Sequence, residues 1–344
     1  MATLKNTTIN ATSSLRLPSG TTAQRPGSPQ TGMMRYNTEE VYVEVYNGED
    51  WVALAGSGGA GLYDFTTATF TPGGANFEDG PSLTQARNGI TGGDSFKNDT
   101  AYFNTSSGQM IWVVPKDGTY RIECWGGQGG GPCTRQGTNG GLGARMRGDF
   151  NLTSGQTLRL VVGQQGERQT NGWGGGGGGG GSFVWDPNSL SQPLIAAGGG
   201  GSSGQSSNGQ QDGRTGATGG TGSNGGGAGG TNGNCSASSG QCGGGGGQGW
   251  NGGGSYHCGG NFTWPTLYNN SRGHVATGSV GGGFGGGGGS WGGGGGGGGW
   301  SGGGSGGWSY SGFGGGGGSL NNGTNQSNSS GVNSTTGQIQ ITLL

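Results

Sequence analysis

Residues 173–185 read WGGGGGGGGSFVW, so eight glycines follow a tryptophan and run directly into a short apolar segment. Further uninterrupted glycine runs occupy residues 243–247, 285–289, 292–299 and 314–318. Glycine has no side chain to bury, so such runs either fold through their backbone or stay disordered. The tryptophans and strand-like segments at the ends of the runs favour a folded backbone. Whether the runs are folded or disordered decides the fold of the chain.

The overall composition supports an ordered chain of an unusual kind. Glycine accounts for 99 of the 344 residues, only 26% of residues are hydrophobic and 9% are charged. Ordinary soluble domains contain about 45–50% apolar and about 25% charged residues. Disordered chains normally rely on charge for solvation, and 10 tryptophans, 9 tyrosines and 10 phenylalanines are too many for a simple linker. The glycines follow no Gly-X-Y period, which excludes collagen.

The glycine runs can fold as packed polyglycine-II helices. A polyproline-II-like helix has three residues per turn and points its N–H and C=O groups outward, so neighbouring helices can bond to one another. Any Cβ at a contact would push the helices apart, which explains why the runs are pure. Aromatic side chains would cap the runs or cover the bundle: Trp173, Trp250, Phe284, Trp291, Trp300, Trp308 and Phe313.

The glycine-rich window allows two other interpretations. A flexible Gly/Ser linker stays open for residues 202–240, where apolar residues are sparse. A phase-separating aromatic-glycine segment would need repeated Arg-Gly-Gly or Phe-Gly spacers and an RNA-binding module, and the sequence has neither.

The segments between and around the glycine runs predict β-strands. The expected strands are 64–70, 101–103, 110–114, 119–125, 150–152, 158–162, 182–185, 194–197 and 338–344. Residues 110–114 and 119–125 flank a Pro-Lys-Asp-Gly turn and are predicted to form a hairpin. No segment has a convincing helical period. The predicted fold class is therefore all-β, a sandwich with glycine-rich insertions between its strands.

The first 57 residues form a separate module. Residues 8–17 alternate like a strand, and Val41, Val43 and Val45 alternate with polar or aromatic neighbours. Asn47-Gly48 is a hairpin turn signal, and a return strand starts at Trp51. A hairpin of this size cannot bury enough surface alone, so we expect other subunits or another protein to cover it.

This module resembles segments of tailed-phage structural proteins, especially fibres. The resemblance lies in TGMMRYNT (31–38), EVYNG (44–48) and WV (51–52). In those proteins such segments occur in trimeric fibres and near attachment points. The resemblance implies that residues 1–57 attach the chain to a particle or oligomerise it.

Residues 108–344 resemble the glycine-rich, TNF-like ectodomain of the anaplastic lymphoma kinase and leukocyte tyrosine kinase receptors, and also phage adhesins with polyglycine-II bundles. The matching blocks, in the same order, are GQMIWVVP (108–115), GTYRI (118–122), FNL (150–152), VGQQGE (162–167), the Trp173 glycine run, PLIAAG (193–198), GGFG (282–285) and GQIQI (337–341). The resemblance implies a jelly-roll-like sandwich beside a polyglycine-II bundle. The chain shows no signal peptide, membrane span or kinase domain, so we do not expect the receptor activity to carry over.

Together these patterns predict four regions. Residues 1–57 are the attachment or oligomerisation module, and residues 58–125 form the first part of the sandwich. Residues 126–318 are the polyglycine-II bundle interleaved with sandwich strands, and residues 319–344 hold a linker and the closing strand.

The net charge, the lack of long apolar runs and the cysteine spacing limit the binding partners and ligands that we expect. The net charge of −1 comes with no basic patch, so we expect no nucleic-acid partner. No 18-residue apolar run exists, so we expect no membrane partner. The five cysteines could be free thiols or form local bridges such as Cys124–Cys133 or Cys235–Cys242. Cys235, Cys242, His257 and Cys258 lack paired zinc-ligand spacing, so no metal and no cofactor is expected.

Catalytic patterns are weak, and the protein is expected not to be an enzyme. No Gly-Lys-Ser/Thr triplet exists, and neither His257 nor His274 lies near a nucleophile pattern. The acidic side chains most able to pair in space are Glu78, Asp79, Asp94 and Asp99, for which loop solvation is the expected role. A glycan-cleaving tailspike would need a convergent carboxylate pair, which the sequence does not locate.

Aromatic side chains in the less repetitive loops are the candidate contact residues, because they can stack on sugar faces. They are Trp250, Tyr256, Phe262, Trp264, Tyr268 and Tyr310. The alternative for each is that it caps a glycine helix or fills a small core.

The sequence thus predicts a structural virion protein of a tailed bacteriophage, a fibre or adhesin on the particle exterior. Its expected partners are other virion proteins through residues 1–57, further copies of itself in a homotrimer, and a host-surface glycan or protein. One alternative is a capsid or neck decoration fibre without receptor binding, and another is a receptor-like extracellular glycine-rich binding module.

Overall fold

In the computed structural model, the described residues fall into two compact units, Met1–Leu62 and Tyr63–Leu344. The described residues are 16–54, 61–132, 140–170, 174–204, 211–236, 243–252, 255–256, 262–263, 265–274, 280–290, 292–308 and 311–344. Nearly all regular structure in these ranges is β, so the predicted all-β class is confirmed.

The described ranges contain eighteen strands, one α-helix and one 3-10 helix. They are β1 (Ser19–Gly20), a 3-10 helix (Thr22–Gln24), β2 (Met34–Asn37), β3 (Tyr42–Tyr46), β4 (Trp51–Ala53), β5 (Thr67–Phe70), α1 (Leu83–Asn88), β6 (Ile90–Thr91), β7 (Phe103–Ser106), β8 (Gln109–Val113), β9 (Gly118–Trp125), β10 (Gly143–Leu152), β11 (Thr157–Val161), β12 (Ser182–Trp185), β13 (Ile195–Ala197), β14 (Ser255–Tyr256), β15 (Phe262–Thr263), β16 (Leu320–Asn321), β17 (Ser329–Asn333) and β18 (Gln338–Leu343).

The first unit contains a four-stranded sheet in the order β1-β2-β3-β4. The predicted hairpin is confirmed, because β3 and β4 are antiparallel with Tyr46 opposite Trp51. The turn is longer than two residues: the Asn47 side-chain oxygen accepts hydrogen bonds from the N–H groups of Glu49 and Asp50. Gly48 has a φ of 112°, which glycine adopts without a steric cost. Of the strand predicted at 8–17, only residues 16 and 17 lie within the described ranges.

The second unit contains two six-stranded sheets, ordered β17-β10-β9-β18-β5-β6 and β16-β13-β12-β11-β8-β7. One hydrophobic cluster takes side chains from both sheets, among them Ile122 and Ile339 from the first and Trp112 and Leu160 from the second. The Trp112 and Tyr120 rings meet edge to face, with centroids 6.1 Å apart. The alternation of apolar residues along these strands therefore serves one shared core.

The hairpin predicted from residues 110–114 and 119–125 is wrong. Strand β8 pairs with β7 and β11, whereas β9 pairs with β10 and β18 in the other sheet. The chain crosses between sheets at the intervening Pro-Lys-Asp-Gly segment. Both strands alternate apolar and polar residues, and their apolar sides face each other across the core, so the pattern alone could not distinguish the two pairings.

Several short elements were absent from the sequence prediction. Helix α1 spans six residues and is fixed by a capping box in which Ser82 and Gln85 bond reciprocally. Six residues are too few to show a helical period. Strand β17 has the polar sequence SSGVN and pairs with β10 through an irregular register, so its position depends on its partner rather than on its own propensity.

Backbone hydrogen bonds connect the described glycine segments with a three-residue alternation. In residues 176–181 every third N–H points to the same neighbour. Two N–H groups donate to residues 164–167, two donate to residues 285–288 and two donate to residues 200–203. Each glycine segment therefore bonds to several others at once, in contrast to a strand, which bonds to two neighbours at most.

Residues 292–300 lie at the centre of this hydrogen-bond network. The N–H groups of residues 294–300 donate to residues 176–179, 245–248 and 312–318, and carbonyl oxygens of the same residues accept from residues 199–202, 250, 288 and 303–306. A Cβ on Gly178 would lie far inside the van der Waals contact distance from the Gly296 carbonyl oxygen. Successive residues of a segment face different neighbouring backbones. Because each of these backbones approaches closely, successive positions of the segment all have to be glycine.

Candidate binding site

The aromatic side chains predicted to cap the glycine segments have several different locations. Phe284 and Trp300 are buried in a second hydrophobic cluster, which joins the glycine-rich segments to the outward face of β11, β12 and β13. Phe313 is half-buried, and Trp308 is 51% exposed and belongs to neither cluster. Trp173 and Trp291 lie outside the described residues.

The prediction of Trp250 as a surface contact is wrong, because its side chain is fully buried. Its ring lies 5.5 Å from Trp185 and 6.2 Å from Phe183 between centroids, and its indole N–H donates to the Leu190 carbonyl oxygen at 3.0 Å. Trp250 therefore fills the second cluster, which was the alternative considered for each candidate.

The other contact candidates are only partly described. Tyr256 and Phe262 are paired in the two-stranded sheet of β14 and β15, but their side chains are outside the description, as are Trp264 and Tyr310. Tyr268 is half-buried and packs against Trp250 with centroids 5.1 Å apart. Tyr268 is the candidate that the structure brings to a concave surface.

An open pocket of about 230 Å³, here called the Arg159 pocket, lies beside Tyr268. It is lined by Ser106, Ser107, Gln109, Arg159, Trp185, Pro187, Leu190, Tyr268 and Asn269. The pocket forms where the β7–β8 turn, the outward face of β11 and β12, and residues 265–271 converge. Ser107 and Gly108 both have positive φ values, of 50° and 76°, as a tight two-residue hairpin turn requires.

The floor of the Arg159 pocket is formed by Gln109 and Arg159, whose side chains are hydrogen-bonded to each other. Gln109 is only 3% exposed, and its amide nitrogen donates to the Tyr268 carbonyl oxygen at 3.0 Å and to the Ser271 hydroxyl at 3.1 Å. Its amide oxygen accepts a hydrogen bond from Arg159 Nη1 at 3.1 Å. Gln109 thereby fixes one side of the guanidinium.

Among the described residues that line the Arg159 pocket, Arg159 is the one that carries a charge. It lies on β11 between Ile111 of β8 and Trp185 of β12. None of the ion pairs among the described residues involves Arg159. Sequence reasoning missed this residue and Gln109, although an arginine between two leucines in TLRLV marks a strand with one charged, outward position.

The first unit has a charged centre in place of an apolar one. Glu44 is fully buried; its carboxylate accepts hydrogen bonds from Arg25 and Asn37, and Arg35 lies 3.6 Å away. The hydrogen bond from Arg25 is the main cause that lowers the pKa of Glu44, and burial opposes it. No apolar side chain in residues 16–54 is buried.

The opposite face of the same sheet, here called the apolar face, carries hydrophobic residues toward solvent. Met34, Val45 and Val52 stand in register across β2, β3 and β4. Met34 is 41% exposed and Val52 is 38% exposed, while Val45 and the neighbouring Tyr36 are partly exposed. The sheet thus places charge inside and apolar surface outside.

Several titratable groups in the second unit are buried. Cys124 and Cys235 are buried free thiols, so the local bridges considered for them are not formed. Burial raises the pKa of Cys235 to about 12 and lowers the pKa of His274 to about 4.

Within the described ranges, no group of three or more His, Cys, Asp or Glu side chains could hold a metal ion. Cys133, Cys242, His257 and Cys258 lie outside those ranges.

No known family model matches the chain. Among the helices of the described ranges, none has the length and apolar character needed to cross a membrane.

Proposed function

We propose that the protein is a non-enzymatic structural virion protein of a tailed bacteriophage, a fibre or adhesin that projects from the particle. The observation that carries this proposal is the contrast between the two units. A small sheet with an exposed apolar face precedes a large unit whose glycine segments are joined by backbone hydrogen bonds. The first suits attachment and the second suits a stiff, inert outer part.

The first unit is the proposed attachment and oligomerisation module. An exposed apolar sheet face is unfavourable in water and typically marks an interaction site. The centre of the apolar face, formed by Met34, Val45 and Val52, carries no charge, so copies of it can meet without juxtaposing like charges. Other virion proteins, or copies of this chain in a homotrimer, are the proposed partners.

The second unit is the proposed exposed head. We propose that it is a jelly-roll, TNF-like sandwich beside a polyglycine-II bundle, as the sequence resemblance implies. The core shared by the two six-stranded sheets supports the sandwich, and the three-residue alternation of hydrogen bonds in residues 176–181 supports the bundle. Backbone packing of this kind offers few exposed side chains for proteases or for unspecific binding.

The proposal is tested by determining whether the protein is present in phage particles and exposed on their exterior. Phage particles purified from a lysate that expresses the gene should contain the protein by mass spectrometry. Antibodies against the second unit should label the particle exterior in electron microscopy, and the purified protein should adsorb to host cells. Labelling without adsorption would favour a decoration fibre over an adhesin. Absence of the protein from purified particles would reject the proposal.

A further inference from the structure

We propose that the Arg159 pocket binds an acidic saccharide, with the sugar's carboxylate or phosphate on the Arg159 guanidinium. The inference rests on the proposed function, because it supplies the chemical class of the host-surface partner. It begins from a cationic side chain in a concave surface whose other described residues are uncharged, next to a half-buried tyrosine.

Charge is the first argument. Arg159 is the single charged residue among the described residues of the lining, and none of the described ion pairs includes it. Guanidinium presents a planar fork of N–H donors that matches a carboxylate or a phosphate. Among the described residues, the only hydrogen bond from this guanidinium goes to Gln109, and we propose that its other donors bind the anionic group.

Preorganisation is the second argument. The Gln109 amide is held by two hydrogen bonds of its own and in turn holds Arg159 Nη1. Because the arginine is already fixed, less side-chain entropy is lost when an anion binds. A buried glutamine that orients an arginine differs from the usual exposed arginine, whose side chain is free to move.

The remaining lining suits a sugar ring better than a simple ion. Tyr268 offers an aromatic surface that can pack against the C–H groups of a sugar, and its ring is supported from behind by Trp250. Ser106, Ser107 and Asn269 add hydroxyl and amide groups at the rim. A volume of about 230 Å³ is below the range of about 300–1,000 Å³ typical of drug-sized ligands. One sugar residue can therefore enter while the rest of the glycan remains outside.

The test is a binding comparison on the full-length protein by isothermal titration calorimetry. Two matched pairs of probes separate charge from ring shape: 3′-sialyllactose against lactose for a carboxylate, and mannose 6-phosphate against mannose for a phosphate. We expect the acidic member of at least one pair to bind about ten- to hundredfold more tightly than its neutral partner, as for a charge-assisted hydrogen bond. The pair that shows the preference identifies the acidic group.

Variants locate the binding. Arg159→Gln should bring the acidic probe down to the level of its neutral partner, whereas Lys116→Gln removes an exposed positive charge outside the pocket and should change nothing. Asn269→Asp is a second variant that leaves Arg159 and Gln109 in place. Its added carboxylate at the exposed rim should repel the acidic probe to a similar extent, so the proposal is testable even where Arg159→Gln fails to fold.

Equal binding of acidic and neutral probes would overturn the inference, and so would unchanged binding in a folded Arg159→Gln or Asn269→Asp variant. Adsorption to host cells separates this outcome from the proposed function. Wild-type protein that adsorbs, with an Arg159→Gln variant that adsorbs equally well, overturns the pocket inference and leaves the adhesin proposal standing. Wild-type protein that does not adsorb counts against the adhesin itself.

Discussion

At the scale of single residues, Gly178 shows how a glycine within a run is required by close contacts rather than by turn geometry. Gly178 donates its N–H to the Gly288 carbonyl oxygen while its Cα faces the Gly296 carbonyl oxygen. A Cβ has no space there because backbone lies on that side. The reason why the runs contain only glycine could therefore be predicted from the sequence. The neighbour of each glycine could not be predicted, because identical residues do not determine which positions of two runs lie side by side.

Gly178→Ala should lower the stability of the second unit. The added methyl would overlap the Gly296 carbonyl oxygen, and overpacking of this kind costs about 1–3 kcal/mol or more. Gly216→Ala is the matched control, because Gly216 is exposed and has open space around the Cβ position. In thermal unfolding the first variant should melt several degrees below wild type while the second stays level with it. Equal melting temperatures for both would contradict the close approach of residues 178 and 296.

His274 should make stability fall in mildly acidic solution. Burial lowers its pKa to about 4, against about 6.5 in the unfolded chain. As the pH falls from about 6.5 toward 4, the unfolded state gains a proton that the folded state does not, so the free energy of unfolding decreases. The loss between pH 7 and pH 5 should be about 2 kcal/mol.

Urea unfolding of wild type and His274→Gln at both pH values measures this loss. The carboxylates titrate alike in both proteins, so the difference between the two pH dependences isolates the histidine. A wild-type protein no more sensitive to pH than the variant would show that His274 is not held neutral by burial.

At the scale of elements, strand positions were more predictable than strand partners. Strand β12 was predicted with its exact bounds, whereas the pairing of β8 with β9 was wrong. Alternation reports that one face of a strand is buried, and it does not report which sheet the strand joins. The Arg159 pocket was missed for the same reason, since its residues come from β8, β11 and a loop more than 100 residues later.

The N-terminal sheet offers an element whose stability depends on one carboxylate. Glu44→Gln keeps the shape of the side chain but leaves Arg25 and Arg35 without their negative partner. Removing one member of a buried ion pair costs about 3–5 kcal/mol. Limited proteolysis should then cut within residues 16–54 much faster than in wild type, while the melting temperature of the second unit stays unchanged.

Glu49→Gln provides the control for this change, because Glu49 lies exposed in the β3–β4 turn and its removal should leave the cleavage rate unaltered. Equal cleavage of Glu44→Gln and wild type would show that the charged centre does not hold the sheet together.

At the scale of the whole molecule, the glycine content taken alone would indicate a flexible linker, whereas the backbone hydrogen bonds indicate a folded structure. The described glycine segments bond to several neighbours each, with residues 292–300 surrounded on all sides. Fixing a glycine backbone costs about 1–2 kcal/mol. Each net hydrogen bond returns about 0.5–1.5 kcal/mol, so the glycine segments are stable only where nearly all bonds form together. We therefore expect the glycine segments to fold and unfold cooperatively.

Amide hydrogen exchange measures this cooperativity directly. The amides of residues 292–300 should exchange as slowly as those of β9 and β18, because all of them open only when the second unit unfolds. The amide of Gly48, which is exposed in the β3–β4 turn, should exchange rapidly and serve as the internal reference. Gly178→Ala should accelerate exchange across residues 292–300 as a group, since one broken contact weakens a network in which every segment supports several others. Random-coil exchange in residues 292–300 of the wild type, alongside protected β9 and β18, would mean that the glycine segments are linkers between strands and that the stiff head proposed for the particle exterior does not exist.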